Sequence, residues 1–332
     1  MAVVESRERS PLTRLQHLLH AQATIGPAVV LLVAVVVFAV LSERFLTPGN
    51  ISLILQQVAV VGTLAVGQTI VILTAGIDLS CGAIMVLTSI VMAKVAAETG
   101  LPGLPALLLG FVVGTLCGVL NGVLVTRLKL PPFIVTLGTL NVFFALNLWY
   151  SGSATIRGTD MPSLLLWTGQ TFTVFGTRVT YGSVMLVLLV GAMAFVLKNT
   201  AWGRHVYATG DDVEAARLSG IRTTRVLLSV YATAGLIYAL AAWTLIGRIA
   251  SASPQAGQTD NLDSITAVVI GGTSLFGGRG AVVGSLIGAL IVGVFRNGLA
   301  LAGVDVLWQT MAVGVLIIVA VSLDQWIRKV RS

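Results

Sequence analysis

Apolar residues fill this chain in long unbroken runs, and polar positions fall between the runs rather than alternating within them. The stretches "GPAVVLLVAVVVFAVL" (26–41) and "TMAVGVLIIVAVSL" (310–323) carry no charge at all. A membrane span needs about 20 mainly apolar residues to cross a hydrocarbon core of about 30 Å. Breaks at Gly, Pro, Asn and charged residues divide the sequence into about ten such spans. They cover 25–41, 51–74, 81–97, 105–126, 132–150, 181–198, 225–248, 263–276, 281–298 and 307–324. Pro131 and Pro132 can only open a helix, because proline lacks the donor that a helix interior requires. The pattern predicts an all-α polytopic membrane protein with a tail (1–24), a single membrane domain (25–326) and a second tail (327–332).

Composition agrees. Only 10% of the 332 residues are charged and mean hydropathy is +0.96. A soluble domain carries about 25% charged residues, so this chain could not cover its surface against water. The net charge of +7 does not call for nucleic acid, because Lys and Arg accumulate in the cytoplasmic loops of membrane proteins. With the N-terminus inside, fourteen of the twenty basic residues are cytoplasmic. Both termini are therefore expected in the cytoplasm. The N-terminal stretch is too polar and too long before the first apolar run, and lacks a small-residue cleavage pattern, so that run is expected to be a retained span. Cys81 and Cys117 sit in apolar surroundings and suggest neither a disulfide nor a metal site.

The stretch "TAGIDLSCGA" (74–83) sets a carboxylate between two apolar runs. A charge at the bilayer centre costs at least about 2.5–3.5 kcal/mol, and a break that reaches water or is buried against protein removes most of that. Asp78 is expected at a cytoplasm-side break relaxed by Gly76 and Gly82, as a solvated turn residue capping the next helix through the Leu79 and Ser80 amides. Contact with a substrate is the second reading. Gly110, Gly114, Gly118 and Gly122 recur every four residues, as do Gly280, Gly284 and Gly288. That spacing lays them on one helix face for close helix packing. "TIVILTAGIDLSCGAI" (69–84) and "TAVVIGGTSLFGGRGAV" (266–282) both run apolar, break on glycine and resume apolar, which suggests an internal repeat.

No catalytic constellation emerges. Gly272 and Gly277 have the first spacing of a phosphate loop, but Gly278 and Arg279 follow where Lys and Ser or Thr are required. His17, His20 and His205 have no Cys or carboxylate at ligand spacing. An enzyme is not expected. The longest polar stretch between spans, 198–225, contains "DDVEAARLSGI". It reads as a short helix begun by Asp211 and Asp212, built on Ala215, Ala216 and Leu218, and stopped by Gly220. Such a helix is too short to be stable alone. Its small residues and flanking arginines suit docking on a partner protein.

These stretches carry a resemblance. The chain resembles the permease subunit of a ribose-type ATP-binding-cassette importer. "EAARLSG" is similar to the coupling pattern of bacterial importer permeases, falling on Glu214, Ala215, Ala216, Arg217 and Gly220. The family's first-half hallmark resembles "VGQTIVILTAGIDLSCGAI", with Gly76, Asp78 and Ser80. Its second-half hallmark resembles 261–299, with Asp263, Gly271, Gly272, Gly277 and Gly278. "LPPFIVTLGTL" adds to the match, which runs over about 50–324. The downstream Leu-Pro of other importer classes is missing from "VLLSVYATAGL", which weakens kinship to those classes.

The resemblance implies import of a monosaccharide of the ribose, xylose, arabinose, fructose or galactose class across a bacterial inner membrane. Cytoplasmic ABC ATPase subunits would grip the coupling loop 199–224 through residues around 214–220. ATP and Mg would bind there, with no cofactor on this chain. A periplasmic sugar-binding protein would meet 151–180 and 251–262, and a second copy or a paralogue would complete the pathway among membrane lipids. Gln57, Gln68, Asn121, Asn141 and Asn147 are the polar residues that could line it. Nucleic acid has no place in this scheme. An ion-coupled secondary sugar transporter is the rival class. It would need ionisable groups near the midplane, and the spans offer Asp78, Lys94 and Arg248 near their ends. A permease for a nucleoside or a branched-chain amino acid is the other alternative.

Overall fold

The structure is a computed structural model that describes residues 25–329. The tail 1–24 and the last residues, 330–332, lie outside the described residues. The long helices are α1 (Ile25–Leu41), α2 (Pro48–Leu73), α3 (Cys81–Thr99), α4 (Gly103–Arg127) and α5 (Pro132–Ser151). After the short α6 (Ser163–Leu166) come α7 (Tyr181–Asn199), α8 (Ala201–Asp211), α9 (Val213–Leu218) and α10 (Thr223–Ile249). The chain ends in α11 (Asp260–Ile270), α12 (Val282–Leu301) and α13 (Val306–Lys329). Among the described residues, seven of these, α2, α3, α4, α5, α7, α10 and α12, are long and apolar enough to cross a membrane. This is a polytopic membrane protein. Its lipid-facing stripes are plain on α1 (Val29, Leu32, Val33, Val36, Val40) and α7 (Val187, Leu188, Phe195), all exposed.

Two features depart from the expected plan. The predicted span 263–276 is not a crossing helix: α11 has only 11 residues, about 16 Å at 1.5 Å per residue. Its apolar run continues past Ile270, but Gly272, Gly277 and Gly278 take positive φ (86°, 83° and 71°) and turn the chain back. Hydropathy cannot register that change of backbone. The fold is also not purely helical. β1 (Ile156–Arg157) pairs antiparallel with β4 (Ser251–Ala252), and β2 (Thr171–Val174) with β3 (Thr177–Thr180). Phe175 and Gly176, both at positive φ, make the two-residue turn that the twist of a hairpin favours.

α2 is the central helix, buried along most of its length and packed by α3, α7, α10, α11 and α12. The glycine ladders act as close-packing faces. A β-carbon at Gly114 or Gly118 would strike the backbone of α10 at Gly235 and Tyr231, and one at Gly288 would strike the Ala267 carbonyl of α11. Gly280 does not belong to its ladder, since it precedes α12 with φ 142°.

Candidate functional site at the two helix breaks

The helix–break–helix form occurs twice, at 74–80 between α2 and α3 and at 271–281 between α11 and α12. The two breaks meet at one end of the bundle, where the Gly278 amide donates to the Leu73 carbonyl at 3.0 Å. Wedged against that bond is Gly210, near the end of α8. A β-carbon there would collide with the Leu73 oxygen and lie 2.8 Å from the Gly278 nitrogen. Gly277 faces the Gly210 carbonyl and the Ala75 amide, and Gly278 faces Asp211. Tyr207 adds a bond from the same helix, its hydroxyl donating to the Gly280 carbonyl at 2.8 Å. Burial raises the pKa of that phenol and keeps it a donor.

The segment 199–224 thus touches both breaks through α8 and then leaves as α9. Asp212 alone caps α9, accepting from the Glu214 amide at 2.8 Å and the Ala215 amide at 2.9 Å. Asp211 is instead the last residue of α8. Ala216 is buried against the bundle, whereas Glu214, Ala215, Arg217 and Leu218 face outward. Glu214 and Arg217 pair on the exposed side. Gly220 stops the helix at φ 85°, its amide donating to the Arg217 carbonyl at 3.0 Å.

Asp78 is completely buried, not solvated. Its Oδ1 accepts from the Ser80 amide at 2.9 Å and the Ser80 hydroxyl at 2.6 Å. It thus closes the turn onto Ser80, the residue before α3, and does not cap the helix through the Leu79 and Ser80 amides as expected. Asn121 of α4 donates to the Ser80 hydroxyl at 2.8 Å. Gln68 of α2, with its amide oriented to satisfy both ends, accepts from the Asp78 amide and donates to the Asp78 carbonyl, each at 3.1 Å. Thr136 of α5 donates to the Ile77 carbonyl at 2.9 Å. Side chains of α2, α4 and α5 therefore supply several of the bonds that the break gives up, while Asp78 Oδ2 and Asn121 Oδ1 stay buried without a hydrogen-bond partner among the described residues. Gly76 is in contact distance of the Tyr231 hydroxyl.

The polar residues proposed for a pathway scatter. Gln68 and Asn121 belong to the Asp78 network. Asn141 is exposed and bonds its own helix at Leu137, and Asn147 is buried and donates to the Pro254 carbonyl at 3.1 Å. Gln57 borders a cavity, together with Arg248, Asp260, Asp263 and Arg296. Asp263 is buried and pairs with Arg296 at 2.7 Å. Asp260, Asp263 and Arg296 thus join Arg248 as ionisable groups within the helical bundle, more than a count of charge near span ends had suggested. Gly271 packs against Gly284, close to the bend that follows α11. At the opposite end of α10 from the breaks, β1–β4 pairing joins the loop 151–180 to the segment 251–262.

Sequence reasoning missed Gly210 and Tyr207. Their signal was present as a glycine immediately before the acidic pair in "YATGDD", but a glycine closing one helix reads as a stop and not as a contact. The pattern of the family described as branched-chain amino acid transport system / permease component matches residues 50–321. The chain is 52% identical to the fructose import permease protein of Rhizobium meliloti, over 100% of this chain and 93% of that protein. It is 43% identical to the ribose import permease protein of Bacillus subtilis (91% and 92% covered). It is 33% identical to the xylose transport system permease protein of Escherichia coli (84% and 86% covered).

Proposed function

The chain belongs to the family of branched-chain amino acid transport system / permease components, and from that premise we propose that it is the membrane subunit of an ATP-binding-cassette importer for a monosaccharide. Relatives named for fructose, ribose and xylose support a sugar over a nucleoside or an amino acid. The observation that carries the coupling mechanism is Gly210 seated between the Leu73 carbonyl and Gly278. Cytoplasmic ATPase subunits, which hold ATP and Mg, grip α9 on its exposed Glu214–Leu218 face. Their closure pulls α8, and the tight Gly210 junction passes the movement to both breaks at once. A second copy of the chain, or a paralogue, forms the other wall of the path in a bacterial inner membrane, with both termini in the cytoplasm. A periplasmic sugar-binding protein docks over the joined 151–180 and 251–262 segments.

Uptake by vesicles reconstituted with the candidate ATPase and binding protein tests this. Sugar should accumulate only with ATP inside, and an ion gradient alone should drive none. Accumulation on an ion gradient would instead favour a secondary transporter using the buried charges. Glu214→Arg should leave membrane insertion intact, because Glu214 is 64% exposed, while abolishing ATPase association and uptake. Normal transport by this variant would overturn the docking assignment.

A further inference from the structure

We propose that the cavity walled by Gln57, Arg248, Asp260, Asp263 and Arg296 is a polyol-binding station that receives the sugar before it descends between the breaks. The inference rests on the importer reading and assigns it a site. α2, α10, α11 and α12 converge here, and the cavity measures about 90 Å³. Gln57 lies nine residues inside α2 and Arg296 five residues from the end of α12. At 1.5 Å per residue this places the cavity roughly 8–14 Å below the helix ends remote from the breaks. It therefore lies on the far side of the bundle from the coupling helices, below the β1–β4 ribbon.

The chemistry of the wall selects the ligand. Carboxylates only accept hydrogen bonds and guanidinium groups only donate them, whereas each sugar hydroxyl does both. Two of each, with the Gln57 amide between them, satisfy neighbouring hydroxyls in either sense. Bonds to charged groups are about twice as strong as neutral ones. Two positive and two negative groups leave no net charge to retain an ion. Val61, Val292 and Gly293 supply an apolar side for the carbon face of a ring. Asp263 and Arg296 already hold one another, and Arg296 also reaches the Thr259 hydroxyl at 3.4 Å. Asp260 and Arg248 attract each other at longer range, yet neither has a hydrogen-bond or close ion-pair partner among the described residues. Charged groups inside a bundle without such partners are uncommon, and these two border open space. At about 90 Å³ the space suits several waters, below the few hundred Å³ of typical ligand pockets. A sugar ring therefore requires the space to widen, and α11, the short helix along one wall, is the element whose outward movement would widen it.

Thiol labelling of the reconstituted complex tests the site. Native Cys81 and Cys117 are buried, so Gln57→Cys provides a nearly unique target for a hydrophilic cationic thiol reagent. Val187→Cys, on the lipid-facing side of α7, is the unreactive control. Added D-fructose or D-ribose should slow labelling of Gln57→Cys at least fivefold, while a hydroxyl-free osmolyte at equal concentration should not. Asp260→Asn or Arg248→Gln, placed in the Gln57→Cys background, should remove the protection without altering ATPase association. Labelling that no sugar slows, at the highest concentration that leaves vesicles sealed, overturns the proposal, as does protection that survives both substitutions. Protection needs no ATP, so the two readings separate. Protection without ATP-driven uptake sinks the importer and keeps the site; uptake without protection does the reverse.

Discussion

The break between α2 and α3 and the break between α11 and α12 turn the chain by opposite means. At 74–80 the turn is held by side chains, Gln68 from α2 itself and Asn121 and Thr136 from α4 and α5, with Asp78 and Ser80 answering from within. Only Ala75 takes a positive φ, 60°. At 271–281 the turn is made of backbone. Gly272, Gly277, Gly278 and Gly280 all take positive φ, and main-chain bonds close the turn, from Ser274 N to Arg279 O at 2.9 Å and from Thr273 N to Val268 O at 3.1 Å. Among the described residues, side chains add the Tyr207 hydroxyl on the Gly280 carbonyl and the Phe276 amide on the Ser274 hydroxyl. A break bonded by side chains to α4 and α5 is constrained to move together with them. A glycine break can change its φ and ψ at little steric cost, which is what a hinge requires. This contrast suits the first break to act as a pivot and the second as a hinge, with Gly210 packed against both.

The largest effect should come from severing that join. Gly210→Val places a branched side chain where even a β-carbon meets the Leu73 carbonyl and the Gly278 amide. Backbone cannot yield as the tip of a flexible side chain can, and overpacking of this kind costs about 1–3 kcal/mol or more. The variant should lose both thermal stability in detergent and ATP-driven uptake. Assembly and uptake at wild-type rates would show that motion reaches the breaks by another route.

A smaller effect should separate pivot from hinge. Asp78→Ala leaves the Ser80 amide and hydroxyl without their acceptor in a fully buried place, at a cost of about 1–3 kcal/mol for each orphaned group. Asp78→Asn keeps the Oδ1 acceptor and should cost less. Gly272→Ala must hold a β-carbon at φ 86°, a strain of about 1–2 kcal/mol. Unfolding in mixed micelles, set beside the uptake rate, should show Asp78→Ala losing mainly stability and Gly272→Ala losing mainly rate. If the two variants lose stability and rate in the same proportion, the breaks do not differ in role.

Much of this arrangement was legible in the residues. Apolar run length located the seven helices long enough to cross. The four-residue glycine spacing of 110–122 announced a close-packing face, which α10 fills at Gly114, Gly118 and Gly122 and Met92 of α3 at Gly110. Gly220 marked a helix stop by a rule that needs only local geometry. What could not be read was anything set by long-range partners. Asp78 looks the same in sequence whether it faces water or Gln68 and Asn121 at hydrogen-bond distance. α11 looked like a span because hydropathy registers Gly271 to Gly278 as merely neutral, while φ decides where the helix ends. The grouping of Arg248, Asp260 and Arg296 needed three helices to converge, which no spacing encodes.

The smallest effect tests how far the join extends into α9. Asp212 is the only side chain that caps this six-residue helix, and an N-cap replaced by alanine typically costs about 1 kcal/mol. A helix of six residues has no stability of its own to absorb that loss, so Asp212→Ala should fray α9 locally. α8, whose hold on the breaks comes from Tyr207 and Gly210, should stay in place. Hydrogen exchange should therefore quicken at the Glu214 and Ala215 amides and remain unchanged at Leu73 and Gly278, with ATPase association weakened a few-fold. Exchange that also quickens at Gly278 would mean that α9, and not the glycine contact, holds the two breaks together.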